Sequence, residues 1–364
     1  MIYIFNSFFI LVTYMVCVFL GLNKKKFNIT FSILVGVEMA LIIGLRNDVG
    51  ADWKSYEQLY SYFGNKISNN FQNNRIEIGY KVLNYILWNL NIPYWGLNLF
   101  MAVLTMFFFL KACLEFENDI FLYVYLYVCF FFFYFAMNQT RQALAMAIGI
   151  YAVSQLIKGN SKKFICLILL ATMFHYVSLV YLVLLFTRKL EINNGLVIKV
   201  LIGAIGCFLA SKIVFEIVKH TIYSFYFQQG YEIENYNSIY MNTFIRVIFL
   251  LLCLWRYEYM EKGYRKSVLY SMGIFCVYTQ ILTCIYSLFG RVTTPFFMGF
   301  IFLFPDMLDT YPKRINVRLG YGNVKTSFIQ IAFLIMVTIY QIMYFKMSGT
   351  VVLHNQYEFV FFKN

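Results

Sequence analysis

Three stretches of this chain, Ile120–Met137, Phe164–Phe186 and Ser327–Phe345, contain no Asp, Glu, Lys or Arg. A helix rises ~1.5 Å per residue, so about 20 apolar residues cross the ~30 Å hydrocarbon core of a bilayer. Runs of this length have no place in a water-soluble core of ordinary size. Composition agrees: 61% of the 364 residues are hydrophobic and 13% charged, where soluble domains hold about half and a quarter. A soluble fold is excluded. The expectation is an all-α, polytopic membrane helical bundle forming one domain over residues 1–364.

Loop charge orients the spans, because Lys and Arg collect on the cytoplasmic side. The run Ile2–Leu22 lacks a basic leader and a small-residue cleavage site, and Lys24, Lys25 and Lys26 follow it. It reads as an uncleaved first span with its N-terminus outside. Phe27–Leu45 then goes out, and a polar segment continues to Arg75. In Glu77–Leu90, residues Val82, Leu83, Ile86, Leu87 and Leu90 recur at helical spacing, with Lys81, Asn84 and Asn89 opposite. That pattern predicts an interfacial amphipathic helix, too polar to span alone. Trp95–Leu114 returns inward, Ile120–Met137 runs out, and Ala143–Ile157 runs in to Lys158, Lys162 and Lys163.

Phe164–Phe186 is long enough to span, yet Arg188, Lys189 and Lys199 follow it. A crossing would put those cations outside, so the run is expected to dip in and return, with its tip near Phe174, His175 and Tyr176. Leu196–Val218 goes out to a Tyr-rich loop, Ile222–Asn242, and Thr243–Trp255 comes in. Ser267–Phe289 goes out, Val292–Phe304 in, and Ser327–Phe345 out. The expected architecture is about ten spans, a re-entrant hairpin and an interfacial helix.

The net charge of +13 is accounted for by these short loops, so no nucleic-acid partner is expected. All eight cysteines fall in apolar runs without C-x-x-C spacing. They read as small hydrophobes, with no disulfide, metal site or cofactor implied.

The chemistry sits where polar residues defy the charge rule. Arg46, Arg141, Arg246 and Arg291 lie at outer span ends, where an ionisable group needs a partner or a task. Arg46 and Arg291 adjoin glycine in GLRNDVG and FGRVTTP, and Arg141 opens a helix in NQTRQ. Guanidinium forks match phosphate oxygens, so Arg46, Arg141 and Arg291 together suggest a diphosphate; lipid-headgroup snorkelling is the structural alternative. Asp48, Asp52, Glu57 and Glu77 share the first outer loop. One of them is a candidate base for a hydroxyl proton, or Asp48 pairs with Arg46 and only orders the loop. Asp52 is favoured over Asp48, since it lies beyond Gly50, whose backbone freedom lets the loop turn back, and beside Trp53, a ring for sugar stacking. His175 either packs in the bundle or reaches the cavity as proton acceptor or phosphate donor. Tyr223, Tyr226, Tyr231, Tyr236 and Tyr240 form an aromatic belt or sugar platforms.

These motifs resemble a known family. GLRNDVGADWKSY followed by RIEIGYKVLNYI is similar to the first outer loop of the EpsG family. NQTRQALAMAI, ATMFHYVSLVYL and GRVTTPF resemble its Arg-Gln-Ala segment, His-containing helix and late Arg motif. The order of the motifs is matched from about residue 40 to 300. Ala51-Asp52-Trp53 departs from the family's Thr-Asp-Tyr but keeps the acid.

The resemblance implies a Wzy-like polymerase of exopolysaccharide, capsule or O-antigen, with a fold like that of GT-C membrane glycosyltransferases. It would join undecaprenyl-diphosphate-linked repeat units on the outer face of the bacterial plasma membrane. The implied site is Asp52, Glu77 and His175 for catalysis and Arg46, Arg141 and Arg291 for the diphosphate. Asp48, Trp53, Tyr56, Tyr80 and Gln142 would contact the glycan. Expected partners are lipid-linked donor and acceptor, membrane lipids, a flippase and a chain-length regulator. A flippase for the same lipid-linked sugar is the alternative, although no internal repeat is visible. A membrane O-acyltransferase fits less well, because His175 is placed nearer the outside.

Overall fold

A computed structural model describes residues 9, 10, 12, 24–65, 76–117, 119–220, 236–284, 286–310, 315–319, 322–326, 328–344 and 357–362. The expected first span therefore lies almost wholly outside the described residues, as do Tyr223, Tyr226 and Tyr231. The chain packs as two compact units. One holds Met1–Ser154, Leu167–Ser178 and Tyr311–Asn364, and the other Gln155–Cys166 and Leu179–Thr310.

In the first unit, α1 (Lys24–Gly44) leads to a two-residue strand β1 (Arg46–Asn47), then α2 (Trp53–Asn65) and α3 (Ile78–Asn89). Next come α4 (Tyr94–Phe116), α5 (Ile120–Cys129), α6 (Phe132–Asn138) and α7 (Thr140–Ile157). The segment read as merely polar thus holds a helix, α2. Its signal is present in the sequence: Trp53, Tyr56, Tyr60 and Phe63, spaced three or four apart, are its buried face. Tyr60 packs edge-on to Trp88 of α3 at 5.4 Å.

Helix α3 turns its polar side inward. Lys81 and Asn84 are buried, whereas Val82, Ile86 and Leu90 are exposed. The expected division into faces holds in part: Lys81 and Asn84 of the polar set and Leu87 of the apolar set meet protein, while Asn89 of the polar set is exposed. The physical reason is that the apolar face has a better solvent in lipid, while Asn84 finds Tyr80 O at 2.6 Å inside.

The expected straight span Ile120–Met137 is bent by 57° between α5 and α6. Phe131 at the break has φ 68°, a left-handed conformation costly for an aromatic residue. The last helix of this unit braces the break, as described below. No Pro or Gly marks the position.

The run Phe164–Phe186 is broken as expected. Helix α8 (Ser161–Thr172) ends just before His175, and a 3₁₀ segment, Tyr176–Val183, leads into the single turn α9 (Leu184–Thr187). At the base Arg188 Nη1 donates to Ser161 Oγ at 2.5 Å. Ends that touch do not lie on opposite faces of a ~30 Å core. Single cysteines at 160 and 191, in a cysteine-free background, are therefore expected to react with an impermeant reagent from the same side. Labelling of 191 alone in intact cells would contradict the hairpin.

The second unit continues with α10 (Asn194–Lys219), α11 (Tyr236–Trp255), α12 (Tyr264–Thr283), α13 (Gly290–Phe297) and α14 (Gly299–Asp309). Residues 236–242, read as loop, are the first turns of α11. Arg265 grips Asp306 in a two-pronged pair at 2.6 and 2.5 Å, tying α12 to α14. Tyr181 of the 3₁₀ segment donates to Pro295 O at 3.1 Å, a carbonyl in α13.

Strands β2 (Ile315–Leu319) and β3 (Gly322–Thr326) pair antiparallel and are followed by α15 (Phe328–Tyr344). Helix α15 braces the bend at Phe131: Tyr125 and Thr338 hydroxyls meet at 2.5 Å, and Gln341 Nε2 donates to Tyr134 Oη at 3.4 Å. Strand β4 (Glu358–Phe359) pairs antiparallel with β1, Arg46 opposite Phe359 and Asn47 opposite Glu358. Val360 N donates to Leu45 O at 3.0 Å and Tyr357 Oη to Ile42 O at 2.7 Å. The tail is thus a strap on the Arg46 loop, and both lie on one side of the bundle.

Among the described residues α4 and the paired run Gly290–Asp309 are long and apolar enough to cross a membrane, and the bent α5–α6 pair makes a third. The expected spans Phe27–Leu45, Leu196–Val218, Thr243–Trp255 and Ser327–Phe345 hold shorter apolar helices, Asn28–Gly44, Ile198–Ala210, Ile239–Trp255 and Ala332–Met343. Among the described residues the protein is all-helical apart from two small strand pairings.

Candidate functional site

Glu77 stands at the N-terminal end of α3 with extended backbone and makes no capping bond to its own helix. Its carboxylate goes elsewhere. Oε2 accepts from Arg141 Nη1 at 2.5 Å, and Oε1 accepts from Tyr176 N at 3.2 Å. Glu77 is 3% exposed. A buried carboxylate needs such a partner, and breaking a pair of this kind costs ~3–5 kcal/mol.

Three distant motifs meet here: the first outer loop, NQTRQ and the hairpin tip. The backbone tightens the junction, since Gly79 N donates to Met173 O at 2.8 Å. A Cβ on Gly79 would stand 2.7 Å from that oxygen. Gly79→Ala is therefore expected to destabilise the protein by roughly 1–3 kcal/mol, read as a lower Tm in detergent. An unchanged Tm would mean that the tip yields freely.

Two rings enclose the guanidinium. Arg141 Cζ lies 5.5 Å from the Tyr56 centroid and 5.5 Å from that of Tyr80, within cation–π range. The rings meet edge-on at 5.9 Å. Burial pushes the Tyr80 phenol up and keeps it a neutral donor, and it pushes the Lys81 ammonium down, with Glu77 opposing. Arg141 Nε closes no hydrogen bond among the described residues.

His175 occupies the hairpin tip, half-buried. Its Nδ1 accepts from Val177 N at 3.2 Å. An accepting Nδ1 leaves the proton of the neutral ring on Nε2, which makes that nitrogen a donor.

Asp52 takes the N-cap position of α2, its carbonyl receiving Tyr56 N at 3.0 Å. Its amide donates to Asn138 Oδ1 at 3.0 Å, which fixes α2 beside the chain entering α7. Asp52 and Tyr56 are one turn apart on one helix face. Gly50 has φ 104°, and a Cβ there would meet Met137 O at 2.8 Å, so the turn requires glycine.

The other sequence-derived residues fall differently. Asp48, with φ 48°, forms an ion pair with Lys54 at 3.6 Å. Arg46 is fully buried and donates to Ile43 O and, through Nε, to Val49 O at 3.1 Å. Trp53 is 7% exposed with its ring edge-on to Tyr94 at 5.2 Å. No ring face is open there for stacking a sugar. Gln142 is buried, its Nε2 4.0 Å from Met146 Sδ. Arg291 lies in α13 of the second unit. Arg246, in the same unit, stacks on Phe297 at 4.8 Å.

Sequence reasoning missed Lys81, placed on the outward polar face, one turn after Glu77.

Apolar helices around a buried Arg–Glu pair, with two tyrosines on the guanidinium and a histidine-bearing hairpin tip beside it, define a helical membrane protein with a buried polar site. The chain belongs to the EpsG family, whose family model matches residues 29–355. That family is associated with glycosyltransferase-like polymerase activity in exopolysaccharide formation. No curated protein and no solved structure gives a significant match.

Proposed function

We propose that this chain polymerises undecaprenyl-diphosphate-linked oligosaccharide repeat units on the outer face of the bacterial plasma membrane, on a GT-C-like scaffold. One observation carries the reading. Arg141 is fixed at Nη1 by Glu77, and its buried Nε closes no hydrogen bond among the described residues, which supports that nitrogen as a donor to an oxyanion.

In the reaction an acceptor hydroxyl oxygen attacks the anomeric carbon of the donor. The bond from that carbon to the diphosphate oxygen breaks, and its electron pair leaves with the diphosphate. The hydroxyl proton passes to a carboxylate, for which Asp52 is the assignment. Arg141 takes up charge as it grows on the leaving group, with Arg46 as a further cation. His175 Nε2–H serves as a donor to the same oxygens. Glu77, held by Arg141 and the Tyr176 amide, positions the guanidinium and is the reserve base. Tyr56 and Tyr80, both buried, hold the guanidinium from two sides. A flippase and a chain-length regulator would work alongside.

Deleting the gene and sizing the cell's glycan on a gel tests this. Loss of a polymerase leaves single repeat units displayed outside. Loss of a flippase leaves none outside, and that result would replace the proposal with the transport reading.

A further inference from the structure

Helix α11 already starts at Tyr236, where the sequence reads as loop to Asn242, and this moves Arg246 from a span end to mid-span. Within the apolar run Ile239–Trp255 it lies ~10 Å from one end and ~14 Å from the other, at ~1.5 Å per residue. It does not point at lipid. At ~100° per residue, Phe249, Leu250 and Cys253 lie within about 60° of Arg246 around the helix, and all three are buried. Tyr240, Phe244 and Leu251, on the far side, are exposed. The guanidinium therefore faces the second unit. There it stacks on Phe297 of α13 at 4.8 Å and is within electrostatic reach of the buried Cys276 of α12.

A charge at that depth needs a counter-charge or a task. Arg265, in the same unit, has its counter-charge in Asp306. Arg246 has none: among the described residues no carboxylate stands within ion-pair distance of it, and its guanidinium closes no hydrogen bond. The Phe297 ring attracts the cation but carries no charge to balance it. The residue is half-buried, so an anion can reach it. One turn toward the start of α11 the interface with α12 is polar as well. Thr243 gives its own proton to Ile239 O at 2.8 Å and accepts from Gln280 Nε2 at 3.2 Å, which orients the Gln280 amide. Gln280 is 2% exposed, and an amide nitrogen has a second N–H to give. It stands one turn from Cys276 on α12, on the side of the helix that meets Thr243.

We infer that Arg246, with Gln280 oriented by Thr243 one turn away, forms an oxyanion site inside the second unit that takes the phosphate of a membrane lipid. Depth selects the ligand. A free ion loses its hydration at mid-span, whereas a phosphate on a hydrocarbon chain is brought to the bundle by its lipid part. A guanidinium fork matches phosphate oxygens in geometry and charge. The lipid is a prenyl phosphate or a phospholipid, which share this chemistry. The site goes beyond the proposed polymerase, because it rests on residues of the second unit that the reaction does not use.

The test is equilibrium dialysis of farnesyl phosphate against the full chain purified in a non-ionic detergent, with a melting curve for each variant. The parent is expected to show a saturable class of sites that Arg246→Gln weakens ~10-fold or more, the scale of one charged hydrogen bond. Arg141→Lys should leave that class within about twofold, which separates it from the site in the first unit. Gln280→Leu should weaken it about 3-fold or more. Arg246→Gln should melt no lower than the parent, since it removes a cation that balances nothing in the fold. Displacement of the probe by an equal amount of phosphatidylglycerol would assign the site to a headgroup, and resistance to it would assign a prenyl carrier. Affinity within about twofold of the parent in Arg246→Gln would overturn the site, and so would displacement by farnesol, which carries no phosphate. Should Arg246→Gln melt below the parent, Gln280→Leu decides, because it leaves the cation in place; parent affinity there would overturn the site. None of these results bears on glycan length, which tests the polymerase separately.

Discussion

Lysine in place of Arg141 is expected to lower polymer synthesis ~10²–10³-fold, the range seen when one oxyanion donor is removed, while the chain still inserts and accumulates. The argument rests on what lysine keeps. An ammonium can pair with Glu77 and lie between the Tyr56 and Tyr80 rings, each 5.5 Å from the guanidinium. The buried carboxylate therefore retains its counter-charge. What is lost is the planar fork, since an ammonium offers a point charge and no second parallel N–H. Arg141→Gln is less informative, because it leaves Glu77 buried without a cation at ~3–5 kcal/mol and confounds folding with chemistry. The measurement is polymer length and yield on gels, normalised to the amount of chain in the membrane. Parent-length polymer from Arg141→Lys would reduce the arginine to a counter-ion for Glu77.

Arg141 and Glu77 were both readable as motif residues, but their pairing was not, because 64 residues separate them. Nothing local in either motif encodes the partner. The hairpin was readable from charge alone: cations on both flanks of an apolar run forbid a crossing whether or not its break is visible. Arg46 spends two of its donor nitrogens on carbonyls of its own loop, and Arg291 belongs to the other unit.

Other features left no trace in the pattern. The bend at Phe131 sits inside six consecutive aromatics, Phe130–Phe135, and is packed against α15 without a helix breaker. The strap of residues 357–362 is held to the Arg46 loop largely through backbone bonds, which leave no mark on side-chain choice, and it lies beyond the part matched by the family. Helix α2 is the opposite case, fully encoded by Trp53, Tyr56, Tyr60 and Phe63. Its charged outer face, with Lys54 and Glu57, masks that period when composition is read instead of spacing.

Asparagine at position 52 is expected to lower polymerisation ~10²–10⁴-fold, the range for loss of a general base, with no loss of chain from the membrane. The structure sharpens this choice of substitution. Asp52 stands at the N-cap of α2, and its carbonyl and amide already serve Tyr56 N and Asn138 Oδ1 at 3.0 Å each. A purely structural Asp52 would act as that cap, and asparagine caps a helix about as well as aspartate. The cap role therefore predicts almost no effect of Asp52→Asn and a loss of ~1 kcal/mol for Asp52→Ala. The base role predicts that both variants lose chemistry, because neither side chain accepts a proton at neutral pH. Asp48→Asn serves as the internal comparison. Asp48 pairs with Lys54 in a partly exposed bridge, so its loss should cost at most ~1 kcal/mol and little polymer. Membranes carrying each variant at equal level, supplied with the same lipid-linked repeat unit, give the rates to compare. Full-length polymer from Asp52→Asn alongside a thermally weakened Asp52→Ala would confine Asp52 to the cap. The proton would then fall to Glu77, which would have to release Arg141 to receive it, or to His175, whose Nδ1 is occupied by Val177 N. Of these two, Glu77 is the one already placed against the cation that the leaving diphosphate would claim.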